Sequence, residues 1–354
     1  MSGLPADILA QGLGLGERSY AIDAACASSL YAIKLACDQL HDGKASTMLA
    51  GAVCASDDLF LHVGFSSLSA LSKAGKSRPF DSQADGLIPA SGAGFVVLKR
   101  LRDAMKDGDT IFGVIRGVGL SNDGRSGGFL APAKDGQIRA LKAAYEMAQV
   151  QPRDISLLEC HATGTQVGDA TEIQSCSEIF KGMSDVPVGS LKSNIGHLIT
   201  VAGVAGLIKV LQAFRHEVRP PSIHVEQENQ ALGDSPFRVL KEAEPWATDG
   251  LKRAGVSAFG FGGNNAHLIV EEFDAVFHQD LLKHSQQVLT NDVDVGIVGV
   301  GGIIGNAPSI QAFAEGLQTS PELCSPEAQE LALEISSLRF PPVDVKAALP
   351  QQAY

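Results

Sequence analysis

The sequence predicts a layered α/β fold. Three observations carry that expectation. Short apolar runs alternate with amphipathic ones, polar glycine-containing loops close several apolar runs, and the chemically versatile side chains sit in those loops. At 354 residues the chain can bury a sizeable core and suggests about two domains or one large one.

The elements follow in order. "PADILAQGL" reads as a helix and "RSYAID" (18–23) as a short strand. In "CASSLYAIKLACDQLHDGK", Leu30, Ile33, Cys37 and Leu40 recur at three- and four-residue steps, as on one helical face, and "DG" ends the run. "STMLAGAVCAS" is continuously apolar and suits a strand buried on both faces. "GAGFVVLKRLRDAMKDG" reads as a strand leading into a helix, and "TIFGVIRGVGLSND" as another strand. "DGQIRALKAAYEMAQVQPRD" is a helix with Pro152 beyond its end. "ISLLECHATGT" and "VPVGSLKSNIGHL" are strands running into polar loops. "VAGVAGLIKVLQAFRH" is a helix whose small residues suit close packing. "RAGVSAFGFGGNNAHLIVEEF" is a glycine loop followed by a strand. After Phe273, "DAVFHQDLLKHSQQVLTND" is a connecting segment open to helix formation. "VDVGIVGVGGIIGN" then reads as a fresh strand and glycine turn, with "SIQAFAEGLQ" as the next helix.

Composition excludes several classes. A net charge of -12 without a Lys/Arg-rich run argues against a nucleic-acid surface. No apolar run is long enough to span a bilayer, and the first residues lack a basic-then-apolar leader pattern. The six cysteines show no CxxC spacing, so free thiols in a reducing cytoplasm are expected and a metal site is not.

Cys26 lies where a strand gives way to a helix. The helix dipole and free N–H groups there favour a thiolate and can hold an oxyanion. A buried inert cysteine is the competing reading, and the preferred one for Cys37 and Cys54. His161 in "ECHATGT" and His197 in "KSNIGHL" occupy similar strand-end loops. Lys192 can supply positive charge nearby. Asp169 and Glu172 either orient it or form ordinary surface ion pairs. "FGFGGNNAH" can form a tight turn whose backbone N–H points into a pocket. It fits no nucleotide fingerprint, and "GVGGIIG" fits only loosely.

Together these motifs resemble the β-ketoacyl synthase family of condensing enzymes. "DAACASS", "PFDSQADG", "ECHATGTQVGD", "KSNIGHL" and "AFGFGGNNAH" occur in the family's order, over roughly residues 4–273. The resemblance implies a thiolase-like layered fold of two βαβαβαββ halves. It implies that Cys26 takes an acyl chain from a carrier-protein phosphopantetheine thioester. His161 and His197 would then promote decarboxylation of a malonyl unit, with the backbone N–H groups of Cys26 and Phe261 as oxyanion hole. Lys192, Asp169 and Glu172 would support them. Phe259, Gly260, Gly262 and Gly263 would form the loop gating the substrate. No bound cofactor is implied. The implied partners are an acyl carrier protein domain, a chain-length-factor-like domain and, in a full-length parent, a second copy.

Three departures stand out. Ser91 replaces a glutamate expected in the lysine network, Ala162 a glycine and Asn264 a threonine. The family places two further strands before the nucleophile, so the resemblance implies an incomplete first half and a fragment of a longer synthase that is poorly soluble or inactive alone. Residues 1–273 are expected to be the synthase domain, 274–290 a linker and 291–354 the start of a second ketosynthase-like domain, as in polyunsaturated fatty acid synthases. A non-catalytic chain-length-factor-like partner and a Cys–His acyl hydrolase or transferase are the alternatives.

Overall fold

Helix α1 (Leu4–Leu13) has proline in its first turn and stops at Gly14, at φ 65°. The stretch after it departs from expectation. Residues 18–23 form no strand and run irregularly to Ala24. A strand needs a neighbour to take its N–H and C=O groups, and among the described residues none lies beside this run. A single 3-10 turn, Ala25–Ala27, then opens α2 (Ser28–His41). Leu30, Ile33 and Leu40 face the core from α2 as their spacing predicts, while Cys37 is half-buried.

The structure is a computed structural model that describes residues 3–55, 58–125 and 131–284, together with Glu315. The chain divides into two compact units, Met1–Leu289 and Thr290–Tyr354. The strand, glycine turn and helix expected after residue 291 lie, Glu315 apart, outside the described residues.

Next come β1 (Thr47–Cys54), α3 (Asp58–Ser67), β2 (Gly92–Lys99) and α4 (Leu101–Asp107). β1 and β2 pair antiparallel along their full length, from Thr47 opposite Lys99 to Cys54 opposite Gly92. β1 was expected to be buried on both faces, and it is not. Ala50 and Cys54 turn into the core, whereas Val53, Phe95 and Val97 are exposed. Only one face of this two-stranded ribbon is covered by other described residues.

The rest of the unit contains β3 (Val114–Asn122), α5 (Lys134–Ala148), β4 (Leu157–Glu159), α6 (Gln166–Ile179), β5 (Val186–Gly189), the single turn α7 (Lys192–Ile195) and α8 (Ala202–His216). Three short strands follow that the sequence reading did not pick out: β6 (Val218–Arg219), β7 (Phe237–Val239) and β8 (Glu244–Pro245). β9 (Arg253–Gly260) and β10 (Asn264–Glu271) form a hairpin, and α9 (Ala275–His284) follows it. The glycine segment is thus a loop between two strands, not a loop followed by one.

Six strands form one sheet in the order β3-β10-β9-β4-β5-β7. The β3, β10 and β9 pairings are antiparallel, and those from β9 through β4 and β5 to β7 are parallel. Alternate residues feed two cores. Leu268 and Val270 of β10 pack with Leu30 of α2 and Val204 and Leu207 of α8. Ile269 packs on the other face with Leu141 of α5 and Ile173 of α6. Helices therefore cover both faces, as the layered α/β expectation requires. The fit is close: a Cβ on Gly119 of β3 would lie 2.1 Å from the Ala140 carbonyl oxygen of α5.

Candidate active site

Cys26 sits in the turn ahead of α2, buried to 5% exposure. Ala25 before it adopts φ 50°, a left-handed conformation that alanine rarely takes. The turn is held by its own side chains. The Ala25 N–H donates to Asp23 Oδ1 (2.8 Å) and the Ala24 N–H to Ser28 Oγ (2.9 Å), while Ser28 Oγ donates to the Ala25 carbonyl (2.7 Å).

The expectation that this position favours a thiolate is not met. Burial pushes the Cys26 thiol up to about 11. The Lys192 charge and the backbone N–H groups of Phe261 and Cys26 pull it down, but less strongly.

His197 is placed by backbone pairing. Its N–H donates to the Ile88 carbonyl at 2.7 Å, and its carbonyl accepts from Ala90 at 2.9 Å. The ring then lies in the interior, with Nε2 3.2 Å from Cys26 Sγ. His161, in the loop after β4, stands nearly perpendicular to it, with ring centroids 5.4 Å apart. Burial, reinforced by the Lys192 charge, holds both imidazoles well below the usual histidine range. Both rings are therefore neutral at pH 7.

The two carboxylates are not surface ion pairs. Asp169 accepts backbone N–H groups of Phe80 (2.9 Å), Thr163 (3.0 Å) and Gly164 (3.2 Å). Burial pushes it up to about 6 against those bonds. Glu172 accepts from His161 (2.8 Å) and Ala162 (2.7 Å), and burial pushes it up to about 7. Their role is to fix the loop that carries His161. Lys192 is buried and donates to the Cys160 carbonyl at 3.4 Å. Burial lowers its pKa, and the charges of Glu159 and Glu172 act against that.

Glu159 is a residue the sequence reading missed. It accepts from the Leu191 N–H at 2.7 Å and pairs with Lys209 at 2.6 Å, both side chains being buried. An acid inside the apolar run "ISLLEC" was the available signal. With Ser91 in place of the expected glutamate, the charge around Lys192 is balanced by other carboxylates. Ser91 is exposed and lines a separate cavity of about 700 Å³ with Leu198, Lys209 and His216, while Glu159 and Glu172 face the lysine.

The loop between β9 and β10 closes the site. Gly262 and Gly263 take φ of 83° and 80°, which the turn requires. Phe259 lies 5.8 Å from the His161 ring, and Phe261 lies 5.9 Å from Phe65 of α3. A cavity of about 580 Å³ reaches Cys26, His161, His197, Gly260 and Phe261, and Thr163 and Thr165 also line it. A thiol, two neutral imidazoles and two N–H groups at the sulfur suit acyl transfer through cysteine.

The family models for "Beta-ketoacyl synthase, N-terminal domain" and "Beta-ketoacyl synthase, C-terminal domain" match residues 1–104 and 112–226. This chain belongs to the β-ketoacyl synthase family. A third model, "Ketoacyl-synthetase C-terminal extension", matches residues 226–302. The chain is 39% identical over 327 residues to one polyunsaturated fatty acid synthase polypeptide of Thraustochytrium sp., a match covering 89% of this chain and 16% of that protein. It is 41% identical over 267 residues to one phenolphthiocerol/phthiocerol polyketide synthase polypeptide of Mycobacterium tuberculosis, covering 73% and 14%. Among solved structures, the PfaC keto synthase-chain length factor matches with TM-score 0.81 and 38% identity, covering 91% of this chain and 35% of that one. The ketosynthase from module 6 of the Bacillus subtilis bacillaene synthase matches with TM-score 0.75 and 35% identity, covering 77% and 51%. The chain thus spans about a sixth of those curated relatives and about half of that ketosynthase. The expected condensing-enzyme family and its thiolase-like fold hold. Among the described residues no helix is long and apolar enough to cross a membrane.

Proposed function

We propose that this β-ketoacyl synthase domain performs decarboxylative condensation, with Cys26 as acyl acceptor and His161 and His197 acting on the extender. The observation that carries the reading is Cys26 Sγ at 3.2 Å from His197 Nε2, with a second neutral imidazole beside it. In the first half-reaction the sulfur attacks a carrier-bound thioester. The C–S bond to the phosphopantetheine breaks, and the thiol proton passes through His197 to the departing thiolate. The N–H groups of Cys26 and Phe261 stabilise the tetrahedral oxyanion. In the second, a malonyl thioester loses CO2, and the enolate oxygen takes hydrogen bonds from the two imidazoles. The enolate carbon attacks the Cys26 thioester, giving a 3-oxoacyl product and a cysteine thiolate that takes one proton from solvent. Loss of CO2 generates the carbanion, so the scheme needs no strong base.

Lys192, with Glu159 and Glu172 facing it, sets the charge around the pair, and Asp169 holds the loop that carries His161. The Phe259–Gly263 loop is the gate. Residues 1–273 are the synthase domain, 274–290 a linker and 291–354 the start of a chain-length-factor-like domain. Coverage of 91% of the chain by a structure named a keto synthase-chain length factor supports that order. The partners are an acyl carrier protein, a chain-length-factor-like domain and a second copy.

The test is acylation. Incubating the full-length synthase with an acyl-carrier thioester should add one acyl mass at Cys26, and Cys26→Ala should abolish it. Retained labelling in Cys26→Ala would overturn the assignment. His161→Ala and His197→Ala should slow malonyl decarboxylation more than acyl loading, and equal loss of both contradicts the division of roles.

A further inference from the structure

Cys26, His161 and His197 have a second chemical capability. Their ligand atoms, one thiol sulfur and an imidazole nitrogen from each histidine, all lie within 4.8 Å of one another. Among the described residues no other trio of Cys, His, Asp or Glu is so placed. We propose that these three side chains form a soft divalent-metal site, open at its fourth position, that captures Zn2+ and thereby blocks the cysteine. The absence of CxxC spacing argued against zinc, but that pattern reports ligands close in sequence. Here the ligands come from positions 26, 161 and 197 and meet only through the fold.

Geometry supports the site. Tetrahedral zinc with Zn–S of about 2.3 Å and Zn–N of about 2.0–2.1 Å places sulfur and nitrogen ~3.6 Å apart, and two nitrogens ~3.3 Å apart. The Sγ–Nε2 separation of 3.2 Å must open by a few tenths of an ångström. The widest pair, no more than 4.8 Å apart, must close by at most about 1.5 Å. Side-chain rotation supplies such shifts. One sulfur and two nitrogens suit zinc rather than magnesium or calcium, which prefer oxygen. The cavity of about 580 Å³ that reaches all three side chains provides an entry path and room for a water on the fourth position.

Two features limit affinity. Zinc-binding histidines ordinarily donate their second ring N–H to a carbonyl or carboxylate, and Nδ1 of both His161 and His197 has no partner among the described residues. The buried Lys192 charge also opposes a cation. The site is therefore one that a chelator empties readily, unlike a closed structural zinc centre. On binding, the sulfur–metal bond forms as the thiol proton leaves to solvent, and the metal holds the electron pair that would attack a thioester. Metal and acyl group thus compete for one sulfur.

Binding is read without turnover, so it stands or falls separately from the condensing reaction. The full chain, stripped with EDTA, is titrated with Co2+. One equivalent should give a thiolate-to-cobalt charge-transfer band that Zn2+ then displaces. Cys26→Ser should lose the band, and His161→Ala and His197→Ala should each weaken it. Wild-type protein carbamidomethylated at Cys26 should also lose it, a comparison that needs no variant to fold. Stoichiometric Zn2+ should slow iodoacetamide alkylation of Cys26 at least tenfold, with EDTA restoring the rate. An undiminished band in Cys26→Ser or in the alkylated protein, or an alkylation rate indifferent to Zn2+, overturns the proposal.

Discussion

Gly260→Ala is a direct perturbation of the Cys26 turn that alters none of the proposed reacting side chains. Gly260 ends β9 with its α-carbon against the Cys26 turn. A Cβ there would lie 2.4 Å from the Ala24 carbonyl oxygen and 3.1 Å from both Ala25 Cβ and the Cys26 nitrogen. An ordinary carbon–oxygen contact is nearer ~3.3 Å, so backbone must move by ~0.9 Å, since no flexible side chain can yield instead. The turn carrying Cys26 is what the methyl pushes. Misplacement of reacting groups by about 1 Å costs on the order of 100-fold in rate, equivalent to about 2.7 kcal/mol. Overpacking costs stability too, about 1–3 kcal/mol. The assay is the rate of Cys26 modification, by acyl-carrier thioester or by iodoacetamide, followed by peptide mass spectrometry. Modification should slow about 100-fold while far-ultraviolet circular dichroism is kept. Gly250→Ala, where nothing lies within 4 Å, should change neither rate nor stability. Modification of Gly260→Ala within about threefold of wild type would refute the argument that this glycine fixes the turn.

Lys209→Met removes the 2.6 Å ion-pair partner of the buried Glu159 and leaves it only the Leu191 N–H and the Lys192 charge. Chemical denaturation should show a loss of about 3–5 kcal/mol, and adding Glu159→Gln should recover part of it. Glu271 sits at the base of α9 and binds Arg116 (2.6 Å), Arg253 (2.6 Å) and His278 (3.0 Å). Burial raises its pKa, but hydrogen bonds from His278 and Arg253 and the Arg116 charge win and hold it at about 2 against an ordinary 4.5. A carboxyl depressed on folding contributes stability above its unfolded pKa and loses it as pH falls from about 4.5 toward 2. Unfolding free energies from urea titrations should fall across that window by up to about 3 kcal/mol, and in Glu271→Gln the fall should be smaller.

The parts legible in the sequence are those fixed by local pattern. The three- and four-residue spacing of Leu30, Ile33 and Leu40 marks α2, and the helices α5 and α8 follow their patterns too. The ordered loops around Cys26, His161 and His197 identified the groups that converge in one cavity. What was not legible depends on partners distant in the chain. Residues 18–23 have strand composition but no neighbour among the described residues. β1 has the apolar content of a doubly covered strand, yet its ribbon is covered on one side by the described residues. β7 has only three residues, and β6 and β8 two each, too few for periodicity to register. Glu159 and Lys209 lie fifty residues apart, so their pairing is invisible to spacing rules. The Cys26 thiol depends on a competition whose sign only burial decides.

That competition also bears on when the nucleophile forms. A thiol pushed up to about 11 beside a histidine held well below its ordinary range disfavours a standing thiolate–imidazolium pair. The same burial that keeps the sulfur protonated keeps His197 neutral, and so able to accept the proton. Pre-ionisation and acceptance therefore pull in opposite directions, and this enclosure favours acceptance. In the proposed reaction the thiol would lose its proton as the thioester carbonyl arrives, when the N–H groups of Cys26 and Phe261 can take the new charge on oxygen. Lys192 fits that order. Its charge lowers the thiol and both imidazoles together, so it favours the thiolate while keeping the rings neutral. A buried cation held near Glu159 and Glu172 tunes the pair without supplying a proton to it.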